Sequence, residues 1–211
     1  MAHRNHDEGL RQRWPAVWQR LAAATVPDVS VLLKRWAEPQ RHYHTTAHLA
    51  HCLATYDRNP LRDARVELAL WFHDAVYDPK ANDNEERSAD LARTVATSAG
   101  LPSTTIDCVV VCILATQHRE PPADTAQALT LDVDLAILGE TRRRFDGYDA
   151  AIRAEYAWVP EETYRRERGR MLARFAEPDD LFTTSWFRRR YSTQARSNLL
   201  RAVRRLEAGH G

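Results

Sequence analysis

The chain has 211 residues, of which 44% are hydrophobic, and its formal net charge is only +1. This length and apolar content suffice for one sizeable core, so we expect a single domain over residues 1–211. No run of about 18 apolar residues occurs, and the first residues are polar, which argues against a membrane span and a signal peptide. We therefore expect a soluble, cytoplasmic protein. Its three cysteines lie in apolar patterns and are expected to be reduced core thiols.

Apolar residues recur at helical spacing along the first half of the chain, and no segment shows the alternation of a strand. The fourth helix is expected from about Leu61 to Tyr77. Asp83 and Glu86 have the capping-box spacing for a fifth helix. Residues suited to begin the first three helices are Pro15, Asp28, and Thr45 or Thr46.

The second half continues in the same way. Thr104 and Asp107 resemble a cap for the sixth helix, and the seventh carries two acids before Gly139. Pro160 is expected to begin a ninth helix and Ser185 a last one. The sequence therefore predicts an all-α fold, a single-domain bundle of about nine or ten helices.

An adjacent histidine and aspartate, His73 and Asp74, follow the apolar run 68–72. A charged Asp is almost never fully buried unless it is paired or bound to a metal. A bare His-Asp pair is more often a hydrogen-bonded core pair, but its surroundings favour a metal. Further histidines precede it, and the apolar run 131–135 with two acids follows it. The preceding histidines are His42, His44, His48 and His51.

Two imidazoles and two carboxylates from three predicted helices can converge on one centre in a helical bundle. Asp132 and Asp134 stand about 200 degrees apart on a helix, so both cannot point at one ion. We favour Asp134 because Leu131 and Leu135 flank it on the buried side, which leaves Asp132 to cap, accept a hydrogen bond or contact substrate. The predicted ligands are His48, His73, Asp74 and Asp134.

The cofactor predicted from these ligands is one divalent ion. Mixed nitrogen and oxygen ligands suit Mn, Fe, Co, Ni or Zn, and Mg is a further candidate for the bound ion. Without the ion, the two carboxylates are expected to repel each other, which would raise the pKa of at least one of them.

Four blocks of sequence carry a resemblance to a known family: Tyr43–His48, Phe72–Asp78, Asn84–Ala89 and Asp132–Gly139. In this order they resemble the HD superfamily of metal-dependent phosphohydrolases, and within it a little-characterised bacterial group of predicted HD phosphohydrolases. The resemblance covers roughly residues 40–200. It implies an HD core at about residues 40–140, with C-terminal helices over residues 141–207 packed on it. It also implies that the four predicted ligands bind metal and that a phosphate ester is hydrolysed.

The resemblance leaves alternatives open. Binuclear members bring extra histidines between the His-Asp pair and the last Asp, whereas only His118 lies in that interval here. We therefore expect a single metal ion. Other members are oxygenases that use paired iron, so an oxidative function stays open. A regulatory module that binds metal or a nucleotide without turnover is another alternative, and a purely structural helical bundle is a third.

Two further carboxylates are candidates to receive or relay a proton. Asp78 stands one turn after Asp74 if the fourth helix continues so far, and Glu86 has capping as its other role. Basic residues fit phosphate oxygens, although any single one is more often a surface residue. The candidates for substrate binding are His44, Lys80, His118, Asp132, Arg153 and Arg170.

The C-terminal part of the chain carries more basic than acidic side chains, and it contains tyrosines at helical spacing. This combination favours a small phosphorylated molecule as partner, first a nucleotide or nucleoside phosphate. A nucleic-acid surface is disfavoured because the arginine triplets are typical of solvated helix faces. No membrane partner is expected, and a homodimer is left open.

Overall fold

The computed structural model describes residues 2–177 and 181–209 of the chain. These residues form ten α-helices and no strand, which confirms the all-α prediction. None of these helices is both long and apolar enough to cross a bilayer. The elements are α1 Ala2–Arg20, α2 Val29–Trp36, α3 Thr46–Arg58, α4 Ala64–Phe72, α5 Asn84–Ser98, α6 Ser103–Ala115, α7 Thr125–Asp134, a 3₁₀ segment Leu135–Gly139, α8 Arg142–Glu155, α9 Glu161–Ala176 and α10 Ser185–Glu207.

Several predicted helix starts are confirmed because a local signal determines them. The Asp28 carboxylate accepts a hydrogen bond from the Ser30 backbone N–H, which caps α2. The Thr45 hydroxyl accepts one from Ala47 in the same way at the start of α3. Pro160 directly precedes α9, where its fixed φ and missing N–H are tolerated.

Other boundaries were predicted wrongly. Pro15 lies inside α1 rather than at its start, because the helix continues through the buried side chains of Leu10, Trp14 and Trp18. Asp83 precedes α5 without a side-chain capping bond. Pro102, not Thr104, precedes α6.

Helix α4 is shorter than predicted and ends at Phe72, before the His-Asp pair. The His73 N–H still bonds to the Ala69 carbonyl, but the Ala75 N–H turns to the Phe72 carbonyl and closes a tight turn. Asp78 therefore does not stand one helical turn after Asp74.

The chain divides into two compact units, residues 1–134 and 135–211. In the first unit α4 is the central element, since every side chain from Val66 to Phe72 is buried. It packs against α1, α3, α5, α6 and α7. All four predicted metal ligands belong to this unit, which begins before the predicted HD core and ends at Asp134. The prediction of one domain over residues 1–211 stays a prediction.

In the second unit, the 3₁₀ segment and α10 approach each other closely. The Asn198 side-chain amide donates to the carbonyls of Leu138 and Glu140, which holds the two backbones together. A Cβ atom at Gly139 would lie only 2.5 Å from Cβ and 2.7 Å from the carbonyl oxygen of Tyr191. Position 139 therefore requires glycine because there is no space for a side chain.

A matched pair of glycine substitutions tests this contact. Gly139→Ala is expected to destabilise the protein by about 1–3 kcal/mol, the usual effect of overpacking a fixed contact. Gly147→Ala, in the middle of α8 where a Cβ meets nothing within 4 Å, should stabilise it by about 0.5–1 kcal/mol. Urea unfolding midpoints measure both effects. Equal midpoints for the two variants would contradict the steric assignment.

Candidate metal centre

Side chains from the ends of three helical elements meet inside the first unit. Nε2 of His48 lies 3.1 Å from Nε2 of His73. Oδ1 of Asp134 lies 3.3 Å from the first of these nitrogens and 3.5 Å from the second. Both histidines are buried, whereas 18% of the Asp134 side chain is exposed. Two imidazoles and one carboxylate thus share a site that solvent reaches from the carboxylate side.

Asp74 joins this group from the turn after α4. Its Oδ2 lies 3.1 Å from Nε2 of His73 and 3.6 Å from Nε2 of His48. The structure therefore brings together all four residues that the sequence analysis named as ligands. Whether they bind a metal stays a prediction.

Cys52 also lies at the site, although the sequence analysis placed it in the core as an ordinary thiol. His48, Cys52, His73 and Asp134 each offer one ligand atom, and these atoms all lie within 4.8 Å of one another. The group could therefore hold a metal ion. The spacing between His48 and Cys52 in α3 is i to i+4, which puts them on one helix face and could have revealed the proximity.

The backbone fixes the orientation of the His73 ring. Nδ1 lies 2.9 Å from the Leu70 carbonyl oxygen, which can only accept a hydrogen bond, so Nδ1 carries a proton. Nε2 then faces the other polar atoms of the site. Trp36 supports this arrangement, since its ring lies 5.6 Å from the His73 ring and its indole N–H donates to the Trp71 carbonyl.

The charges at the site compensate one another. Burial disfavours the charged His73 ring, but Asp74 and Asp134 outweigh it and hold the His73 pKa well above its usual value. Burial lowers the pKa of His48, and the hydrogen bond and charge of Asp134 only partly oppose this. Without metal, the proton therefore stays on His73 and the His48 ring stays neutral.

The expectation that one carboxylate pKa would rise is wrong. Burial does favour the neutral acids, but for Asp74 the charges of His73, His44 and His48 and the hydrogen bond to His73 together outweigh it and lower the pKa. For Asp134, hydrogen bonds from His118, His48 and His73 lower the pKa well below its usual value. The intervening imidazoles thus attract both carboxylates more strongly than the carboxylates repel each other.

Arg41 holds the turn that carries Asp74. Its buried guanidinium donates to the carbonyl oxygens of His44, Asp74 and Ala75 at 3.0, 2.7 and 3.2 Å. These last two carbonyls lie beyond the end of α4 at Phe72, so no further helical turn supplies them with a donor. Sequence analysis missed Arg41, because nothing in its local pattern indicates that a distant turn is its partner.

Besides Lys80, three predicted substrate-binding residues belong to the first unit. His118 reaches the site, with Nε2 3.4 Å from Oδ2 of Asp134. The His44 ring packs on Tyr77, with centroids 4.3 Å apart, and its charge helps to lower the Asp74 pKa. Asp132 is fully buried in α7, while Asp134 makes the contacts to the histidines.

The loop after the His-Asp turn contains Asp78 and Lys80. Asp78 is exposed, and its carboxylate accepts the Lys80 backbone N–H, while the Asn84 side chain bonds to its backbone on both sides. Asp78 is therefore a turn-forming residue, and the helical geometry on which its catalytic prediction depended is not present. Lys80 is exposed in the same loop.

Of the two glutamates that begin α5, Glu85 shows the more suitable environment. The Glu86 carboxylate faces its own backbone N–H and the Gln117 side chain, and these neighbours lower the Glu86 pKa. Burial raises the pKa of Glu85, and the charges of Asp74 and Glu86 raise it further. The environment of Glu86 gives the predicted catalytic role no support.

Arg153 and Arg170 lie in the second unit. Arg153 donates to the carbonyls of Tyr156 and Val159 at the end of α8 and pairs with Glu161. Arg170 is exposed and pairs with Glu167. Their role in substrate binding stays a prediction.

No family model, curated protein or solved structure matches the chain. Membership of the HD superfamily thus stays a prediction.

Metal binding is expected to release about one proton per ion near neutral pH, because an ion must displace the proton on His73. The raised pKa of His73 means that metal affinity increases with pH until this ring is neutral. Calorimetric titration with Mn²⁺ in buffers of different ionisation enthalpy measures the proton count. Binding without proton release would contradict the assignment of charge to His73.

Replacement of Arg41 tests its contribution to the turn. Arg41→Met is expected to lower the free energy of unfolding by about 3 kcal/mol, since several buried carbonyls lose a charged donor. The Arg41→Lys variant should lose less free energy of unfolding, because its ammonium group can still donate hydrogen bonds. Chemical denaturation of the metal-free parent and of the two variants compares their free energies of unfolding. Equal losses for Met and Lys would exclude donation as the cause.

Proposed function

We propose that the protein is a metal-dependent hydrolase of a small phosphate ester, first a nucleotide or nucleoside phosphate, and a member of the HD superfamily. The observation that supports this is the convergence of two imidazole nitrogens and two carboxylate oxygens. The two nitrogens lie 3.1 Å apart, and each nitrogen lies 3.1–3.6 Å from an oxygen of Asp74 and of Asp134. Ligand atoms about 2.1 Å from one ion lie about 3.0–3.4 Å apart at octahedral or tetrahedral angles. The donor set therefore fits one divalent ion.

Asp74 fits this set better than Cys52 does. Sγ of Cys52 lies 3.6 Å from Nε2 and 3.7 Å from Nδ1 of His48, so it lies beside the ring. An atom that shared an ion with Nε2 would lie beyond Nε2 and clearly farther from Nδ1. Burial, then the charges of Asp134 and Asp74, raise the pKa of the Cys52 thiol well above its usual value. We therefore assign His48, His73, Asp74 and Asp134 as the ligands.

A bound divalent ion would polarise a phosphate oxygen and lower the pKa of a bound water. The protein would supply the geometry and the proton transfers. His73 and Asp74 are held by backbone contacts on both sides of their turn, so their donor atoms need little rearrangement. Among the carboxyl groups described above, Glu85 is our candidate to exchange a proton, since burial and then the charges of Asp74 and Glu86 raise its pKa above the usual value.

The experiment is metal restoration followed by an assay of phosphate release. Metal-free protein receives Mn, Fe, Co, Ni, Zn or Mg singly and is tested on nucleoside phosphates and sugar phosphates. We expect one of the metals to restore turnover. His73→Ala and Asp74→Asn should each lose about 1,000-fold or more in kcat/KM, equivalent to several kcal/mol of transition-state stabilisation.

His51→Ala is the matched control, since His51 lies on the same helix as His48, three residues later. It should retain activity. Failure of every metal to restore phosphate release would refute the proposed hydrolase. Oxygen uptake without phosphate release would assign the protein to the oxygenase alternative, and tight nucleotide binding without turnover would favour the regulatory module.

A further inference from the structure

His118 adopts a backbone conformation that is uncommon for a residue other than glycine. Its φ is 53°, in the left-handed region, and Ala22 is the only other non-glycine residue with positive φ in the described parts of the chain. A side chain disfavours this region, whereas glycine enters it freely. Such a conformation persists only where the surrounding structure holds it, and it is frequent at functional sites.

Helix α5 shows the usual solution to the same local problem. That helix is followed by Gly100, whose φ is 78°, as is typical of a residue that terminates a helix. Helix α6 ends at Ala115, and three residues further on the chain reaches His118, whose N–H bonds back to the Ala115 carbonyl. The chain therefore has an imidazole at a position where glycine would be less strained.

The imidazole makes a contact that glycine could not make. Nε2 of His118 lies 3.4 Å from Oδ2 of Asp134. The other oxygen of the same carboxylate, Oδ1, faces Nε2 of His48 and of His73. The two oxygens of Asp134 thus have separate partners, one outside and one inside the candidate centre.

We propose that His118 is a positioning residue, which holds the outer oxygen of Asp134 and thereby directs the inner oxygen at the metal ion. The proposal rests on the metal binding proposed above. A carboxylate can rotate about its last bond, so a donor on one oxygen fixes the direction of the other. Groups that orient a ligand in this way typically change metal affinity about 10–100-fold.

Substitutions at position 118 separate this role from a purely structural one. Asn tolerates the left-handed region and can donate a hydrogen bond, Gly tolerates it without a donor, and Ala does neither. Melting temperatures of the metal-free proteins should therefore rank His118→Ala below His118→Gly and His118→Asn. Affinity for Mn²⁺ should rank differently, with Gly and Ala both about 10–100-fold below the parent and Asn between.

Calorimetry with Mn²⁺ and ligand-field spectra with Co²⁺ decide the outcome. Affinity that follows the donor at position 118, with an unchanged Co²⁺ spectrum, supports the positioning role. Parent-like affinity in His118→Gly, or affinity that follows the melting temperature, would overturn it. A changed Co²⁺ spectrum in His118→Gly would make His118 a ligand and also overturn it. If the parent binds no more metal than His73→Ala does, the proposed metal centre fails together with this role.

Discussion

Buried carboxylates require a compensating positive charge, and this constraint links all the groups of the candidate centre. Asp74 and Asp134 remain ionised although burial opposes it, because they share the charge of a protonated His73. A metal ion could replace that proton and serve both carboxylates at once. The same electrostatic arrangement would then stabilise the metal-free fold and prepare the site for a cation, so that protons and metal compete for one position.

The ends of helices position most of the polar groups at this site. Helix α4 ends just before His73, α7 ends at Asp134, and α6 ends shortly before His118. Backbone groups near a helix end lack intrahelical partners, so other groups can use them. Arg41 uses the carbonyl oxygens of the turn after α4, and the His73 ring uses that of Leu70. The early end of α4 therefore supplies both the turn and the contacts that hold it.

Local signals predicted the fold well where a boundary depends on neighbouring residues. The cap at Asp28 was predicted correctly, and Thr45 was one of two predicted caps for α3, because the side chain and its backbone partner lie within two residues. The prediction that α4 continues to Tyr77 was wrong, because distant residues bind backbone groups that the next helical turn would need. The Trp71 carbonyl accepts the Trp36 indole N–H, and the Val76 N–H donates to the Ser88 hydroxyl. Likewise, the buried face of α1 outweighs the usual effect of Pro15.

The sequence by itself determined that the fold is helical, and it supplied the four residues His48, His73, Asp74 and Asp134 that the structure brings together. Periodicity and residue chemistry suffice for this, since both can be deduced along the chain. Only the tertiary structure decided that Arg41 holds the turn and that His118 reaches Asp134. These contacts join segments that are distant in sequence or depend on the direction of a side chain, so no local pattern encodes them.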